Sequence, residues 1–303
     1  MRVLIVGCGY MGRSLAADLA RQGHEVFGLR RSAGAESELA AAGVRLVVAD
    51  MTNPADLAKL PGPFDWVVNC ASASGGGVEE YRRTYLEGNR NLVAALAGTA
   101  LKKFVYTSST GVYGQNDGAL VKETHPTEPA TETGQVLVEA EKVLLEVQQQ
   151  RGFPAVVLRV AGIYGPGRGH YLKEFMKNEA RIEGEGGRWL NMIHRDDVVG
   201  VIQAALRGAR AGEIFNAVDD EPVTQATFLR WLAEELGKWP PPSVPEDADA
   251  LRKRGVTNKR VSNRKLKMEL GYAFKYPNFR PGYSAEVQRL AEAGELNVEP
   301  DPR

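Results

Sequence analysis

The chain has 303 residues, enough for one large α/β domain or two modest ones around a well-buried core. Lys plus Arg and Asp plus Glu number 38 each, so no overall field draws the protein to nucleic acid or to an anionic membrane surface. No apolar run nears the length of a membrane span, and Met1-Arg2 leads straight into an apolar run with no room for a signal peptide. A soluble cytoplasmic protein is expected.

The first strand is expected at Val3–Val6, and Gly7-Cys8-Gly9-Tyr10-Met11-Gly12 follows before a helix over Arg13–Arg21. A Gly-x-Gly-x-x-Gly turn between strand and helix is the context of a dinucleotide cradle. Gly7 allows the tight turn, Gly9 the close approach of a pyrophosphate, and Gly12 the packing of helix on strand. The helix N-terminus then faces the phosphates. The second strand, Glu25–Leu29, ends in Leu29-Arg30-Arg31-Ser32. An NAD site usually has an acidic residue here for the ribose hydroxyls, and a carboxylate would repel a 2′-phosphate. Guanidinium groups instead pair with phosphate, so Arg30, Arg31 and Ser32 point to NADP(H), with NAD(H) as the alternative.

Further strands are expected at Arg45–Val48, Trp66–Asn69, Lys103–Thr107 and Ala155–Arg159. Asp50, after the third, suits the adenine amino group or a turn cap. Cys8 and Cys70 sit in apolar, strand-like surroundings and read as small buried hydrophobes, not a disulfide, metal pair or nucleophile. Helices are expected over Tyr85–Ala97 and Gln135–Gln150, where Val136, Ala140, Val143, Leu144 and Val147 recur at helical spacing. This alternation is the pattern of a parallel sheet covered by helices. Ile214–Ala217 returns to the sheet, and Thr224 caps a helix ending near Gly237. The proline-rich stretch 238–247 is a loop, and the polar tail 292–303 frays.

Five further stretches now add up: "VVNCASAS" (Val67–Ser74), "FVYTSSTGVYG" (Phe104–Gly114), "LRVAGIYGPGR" (Leu158–Arg168), "NMIHRDDVVGVI" (Asn191–Ile202) and "IFNAVDDEPVT" (Ile214–Thr224). With the N-terminal glycines, the chain resembles the extended short-chain dehydrogenase/reductase superfamily, in its NAD-dependent epimerase/dehydratase group. The resemblance runs from Met1 to about Tyr283. The ending "KRVSNRKLKMELGYAFKYPNFRPGY" is similar to a branch of atypical members, the YeeZ-like proteins.

The resemblance implies a Rossmann-type doubly wound parallel sheet with a smaller C-terminal substrate-binding region. Residues 1–165, with a return segment at 192–218, would form the dinucleotide-binding domain, and 166–191 with 219–303 the smaller region. It carries cofactor contact onto Gly7, Gly9, Gly12, Asp50, Met51 and the Cys70-Ala71-Ser72 turn, with Cys8, Tyr10 and Met11 in the same loop. It places Ser108 and Arg159–Ile163 near the nicotinamide and gives Ser109 the hydroxyl that bonds substrate. In His194-Arg195-Asp196-Asp197, Asp196 is expected to cap the next helix and His194 to serve structure. No metal site is expected.

Active members of this superfamily carry Tyr-x-x-x-Lys on the helix after the Ser-rich strand, where residues four apart share one face. Lysine lowers the phenol's pKa, and the phenol is the general acid or base. The matching stretch, "TETGQVLVEAEKVL" (Thr131–Leu144), places Thr133 at the tyrosine position and Leu137 at the lysine position. A threonine hydroxyl is too weak an acid without a base to activate it, and leucine carries no charge. Tyr113, one turn after Ser109, and Glu132, beside Thr133, are the substitutes at hand, and each has a purely structural reading.

Two functions therefore stay open. One is an NADP(H)-dependent oxidoreductase or epimerase-like enzyme with a changed acid/base, acting on an unnamed, anionic or nucleotide-sugar substrate. The other is a non-catalytic NADP(H)-binding sensor or scaffold. A structural role without cofactor ranks third, against the intact glycine motif. By the resemblance, Arg168, Arg188, Lys259, Arg260 and Arg264 approach the cleft from the C-terminal side, where some would bind an anion; for any single one, surface solvation is the simpler reading. A homodimer is the assembly entertained.

Overall fold

Residues 1–75, 77–247 and 256–296 are described in the computed structural model. Seven strands build one sheet: β1 (Arg2–Val6), β2 (Glu25–Arg30), β3 (Val44–Val48), β4 (Trp66–Asn69), β5 (Lys103–Ser109), β6 (Ala155–Val160) and β7 (Ile214–Ala217). Their order is β3-β2-β1-β4-β5-β6-β7, and every neighbouring pair runs parallel. The strand order reverses between β1 and β4, which is where a doubly wound sheet opens a crevice at its carboxyl end.

The near-continuous apolar strands follow from burial on both faces. In β1, Val3 and Ile5 join one core with Leu15 and Leu19 of helix Tyr10–Arg21 and Ile202 of helix Arg195–Gly208. Leu4 and Val6 point the other way, into a core with Leu92 of helix Gly88–Leu96 and Leu144 of helix Glu132–Arg151. Thr131 starts that last helix by accepting the Gly134 N–H, and Gly152 ends it in the left-handed region at φ 69°. A third core lies apart, drawn from residues within 164–192 and 223–287. Its centre is aromatic, with Tyr164 stacked on Tyr283 at 4.6 Å and Phe228 edge-on to Phe279.

Three expectations change. The helix expected at Tyr85–Ala97 starts at Val78 and passes through a π-helical turn, Arg82–Glu87, before continuing as Gly88–Leu96. The loop at 238–247 holds a two-residue strand, Ser243–Val244, parallel to Ile182–Glu183. The cap of helix Arg195–Gly208 is His194, not Asp196. The backbone is extended at His194 (φ −70°, ψ 143°), so its ring precedes the first turn, and Nδ1 accepts the Asp196 N–H at 3.2 Å. Burial pushes the imidazole's pKa down, which keeps that nitrogen an acceptor. Asp196 pairs with Arg195 at 2.9 Å. Asp197 accepts from Tyr272 Oη and the Lys275 and Tyr276 amides at 2.7–2.9 Å, pinning segment 272–276 to the helix start. Thr224 caps helix Gln225–Glu235 as expected. Helix Phe279–Glu292 ends in a turn at Ala293 and Gly294, and the last seven residues of the tail, 297–303, lie outside the described residues.

Just beyond β7, Asp219 is 1% exposed; its Oδ1 accepts the Glu221 N–H at 3.2 Å, and its Oδ2 has no hydrogen-bond partner among the described residues. Burial pushes its carboxyl from 3.8 up to about 8, helped by the nearby Glu221, Asp220 and Asp197 charges. The folded chain therefore binds this proton more tightly than the unfolded one. Its contribution to stability is full below about pH 4 and is lost as pH rises through about 8. Asp219→Asn removes the titration, so denaturant unfolding should find the variant more stable than the parent above about pH 8, with the gap closing below about pH 4. A pH-independent gap would contradict this account.

Candidate dinucleotide cleft

The carboxyl ends of the strands surround a cleft of about 590 Å³. Its floor is the glycine loop. Gly7 has φ +83°, and a Cβ there would lie 2.4 Å from the Ala71 backbone, so the glycine loop touches the turn after β4. A Cβ on Gly12 would lie 2.4 Å from Gly7 O, which keeps Gly12 behind the loop and out of the lining. At Gly9 the nearest atom to an added Cβ is Gly7 O at 4.0 Å, so the space above it is open. The helix after the loop has no side-chain cap, leaving its first amides free to meet phosphate. A tight loop, an open middle glycine and an uncapped helix end fit a dinucleotide pyrophosphate. That cofactor supplies hydride chemistry when bound.

Around this floor, each strand end delivers part of the wall. Leu29, Arg30, Arg31 and Ser32 come from β2, Asp50 and Met51 follow β3, and Cys70, Ala71 and Ser72 follow β4. Asp50 also makes the turn: its Oδ1 accepts from Thr52 N and Oγ1 at 2.8 Å each. Burial works against that carboxylate, but the Thr52 bonds and the Arg31 and Arg83 charges hold its pKa below the usual value. Asn69 shapes the third turn by accepting the Ala71 N–H at 3.2 Å, while its amide donates to buried Asn89 at 2.8 Å. Cys8 and Cys70 are free, and burial pushes both thiols up, Cys8 to about 11. Neither has thiolate character.

On the opposite side, Thr107, Ser108, Ser109 and Thr110 continue from β5, and Val160, Ala161, Gly162 and Ile163 from β6. The Ser109 Oγ accepts the Gly111 N–H at 3.0 Å, leaving its own proton to donate. Ser108 turns inward and donates to Glu141 at 2.6 Å. Glu141 also receives Arg159 through Nε and Nη2, the latter at 2.7 Å, and this pair is 4–5% exposed at its side chains. The Arg159 side chain therefore lies beneath the cleft wall, and only the residues after it line the wall. The structure does not bring Tyr113 to the cleft: it is fully buried, donates to Asn216 at 2.8 Å and accepts from Arg159 at 2.8 Å. Thr133 is also outside the lining, its hydroxyl 3.3 Å from Thr131 Oγ1, whereas Leu137 reaches the wall.

Of the five basic residues considered for an anion, Arg168 lines the cleft, its guanidinium 5.3 Å from the Tyr10 ring. The other four are engaged elsewhere. Arg188 pairs with Glu183 at 2.8 Å, Arg260 covers Trp189, and Arg264 reaches Met268. Lys259 is 4% exposed and donates to Tyr113 O at 3.2 Å; burial pushes its ammonium down to about 8. Sequence reasoning missed Tyr81, Thr84 and Tyr85, which enter the cleft from the helix after β4. Two tyrosines four apart were a visible signal, but the π-helical turn that aims them was not.

Residues 3–217 match the model of the NAD dependent epimerase/dehydratase family. The chain belongs to that family. It is 30% identical to protein YeeZ of Escherichia coli K12 over 91% of this chain and 97% of that protein. It is 25% identical to a UDP-glucose 4-epimerase of Corynebacterium glutamicum, over 92% of this chain and 93% of the other. Among solved structures, a dTDP-glucose 4,6-dehydratase of Streptomyces venezuelae with NAD bound superposes with a TM-score of 0.83 at 23% identity, covering 96% of this chain and 97% of that one. A UDP-glucuronic acid 4-epimerase of Bacillus cereus in complex with NAD gives 0.81 at 21%, covering 96% and 99%. These last two likenesses are of fold. As a member of this family, the chain has the Rossmann-type sheet of a nicotinamide-dinucleotide protein, and no described helix is long and apolar enough to cross a membrane.

The pair Glu141–Arg159 supports the wall from below, so removing one partner strands the other charge. Glu141→Ala should destabilise the fold by about 3–5 kcal/mol, read by denaturant unfolding. A loss below about 1 kcal/mol would mean that water reaches the guanidinium.

Proposed function

We propose that this family member is an NADP(H)-dependent reductase or epimerase-like enzyme with altered acid–base chemistry, acting on a small anionic substrate. One observation carries the cofactor choice. Arg30 and Arg31 line the cleft at the end of β2, with Ser32 beside them and no carboxylate on that turn. Arg31 lies 4.0 Å from Glu80, and Arg30 forms no ion pair among the described residues. Two guanidinium groups at this corner favour a 2′-phosphate over free ribose hydroxyls.

The altered chemistry rests on Thr133 and Leu137. Leu137, which by the resemblance takes the place of the family's lysine, stands on the wall, and Thr133, in the tyrosine's place by the same resemblance, lies off it. Ser109 still offers a hydroxyl to a substrate oxygen, and Arg168 offers a cation at the cleft mouth for a phosphate or carboxylate. The same leucine also favours a second reading, a protein that binds NADP(H) as a sensor or scaffold and turns nothing over. Turnover of NADPH against carbonyl substrates separates the two.

Cofactor preference is directly measurable. NADP(H) should bind at least about tenfold tighter than NAD(H), or about 1.4 kcal/mol. The double change Arg30→Ala, Arg31→Ala should erase that gap and leave NAD(H) binding nearly unchanged, as read by NADPH and NADH fluorescence titration. Equal affinities in the parent would end the proposal.

A further inference from the structure

Resting on the reductase reading above, we propose that Tyr85 is the proton donor of this cleft, taking over from Thr133 and Leu137. A carbonyl reduction needs a hydroxyl proton beside the nicotinamide end, and the chain offers few. Three phenols line the cleft: Tyr10, Tyr81 and Tyr85. The Tyr10 proton is committed to Pro166 O at 3.0 Å. Tyr113, outside the cleft, has committed its own to Asn216. No hydrogen bond among the described residues fixes the Tyr81 hydroxyl, whereas the Tyr85 oxygen accepts the Ala73 N–H at 3.2 Å. That bond fixes the oxygen in place and leaves the proton free for an acceptor in the cleft.

Its position suits the task. Tyr85 lies on the π-helical turn Arg82–Glu87, which packs directly on helix Glu132–Arg151, the carrier of Leu137. Arg82 and Glu139 join the two elements at 3.2 Å. Tyr81 and Tyr85 both pack against the core that contains Leu137, and the Tyr81 ring stands 5.0 Å from Tyr85. The phenol is thus delivered from the neighbouring helix to the wall that lost its charge. Ala73, on the turn after β4, supplies the backbone N–H that stabilises the oxygen once its proton has gone, as a fixed dipole does in an oxyanion site.

The reaction balances with the reduced nicotinamide as the single reductant. The carbonyl carbon receives hydride, the C=O π bond breaks toward oxygen, and that oxygen takes the Tyr85 proton. Water then returns a proton to the phenolate. Burial raises the Tyr85 pKa above 10, so the group stays protonated at neutral pH and acts as an acid.

Three measurements test this on the whole chain labelled with fluorotyrosine. Comparison with Tyr85→Phe identifies the Tyr85 fluorine line. On adding NADP⁺ that line should shift, and its titration midpoint should fall beside the cationic ring; with NADPH the midpoint should not fall. Tyr85→Phe should bind NADPH within about twofold of the parent, while reduction of the probe phenanthrenequinone falls at least about tenfold. A Tyr85 line indifferent to NADP⁺, or an undiminished rate in Tyr85→Phe, overturns the proposal and leaves the cofactor reading standing. If the parent binds NADPH but does not reduce the probe, the fluorine titration alone decides. Failure of the parent to bind NADPH removes the cofactor reading and this proposal together.

Discussion

Parallel pairing of β1 with β2 on one side and β4 on the other is the constraint from which the site arises. The chain must leave these two neighbours in opposite directions, so their carboxyl ends part and nothing of the sheet fills the gap. Into that gap fall the glycine loop after β1 and the Cys70–Ser72 turn after β4. They meet so closely that Gly7 has no room for a side chain against Ala71. The cleft is thus a product of topology first and of side chains second.

Much of this was readable beforehand because backbone sterics write directly into sequence. Gly7, Gly9 and Gly12 are spaced by what the turn, the ligand side and the helix packing each tolerate, and the seven strands fall within two residues of their expected bounds. Arg30 and Arg31 were visible because their place, the end of β2, is fixed by the same local pattern. Arg159 was not. Resemblance puts its segment by the nicotinamide, yet its side chain turns below the wall to meet Glu141 and Tyr113, partners 18 and 46 positions away. Long-range pairing of this kind leaves no period in the sequence. The expected Asp196 cap failed for a smaller reason: three residues that can each hold an amide stand close together, and only the backbone's turning point tells which one precedes the helix.

Buried polar groups divide into two kinds here. Glu141, Arg159, Ser108 and Tyr113 satisfy one another and stiffen the wall, as a completed network does. Asp219 and Lys259 are buried without an opposite charge among the described residues, and each has its pKa pushed toward the neutral form. The first group holds geometry. The second stores a cost that depends on pH.

The π-helical turn before Gly88 sets two halves of one helix out of phase. One extra residue in a turn rotates the half before it by about 100° relative to the half after it. In an unbroken α-helix, Tyr85 and Leu92, seven positions apart, would share a face and compete for the sheet. With the added residue, Leu92 and Leu96 keep the sheet side, while Tyr81, Thr84 and Tyr85 turn to the cleft. A single helix thereby serves both the core and the site, and its apolar residues obey no single repeat.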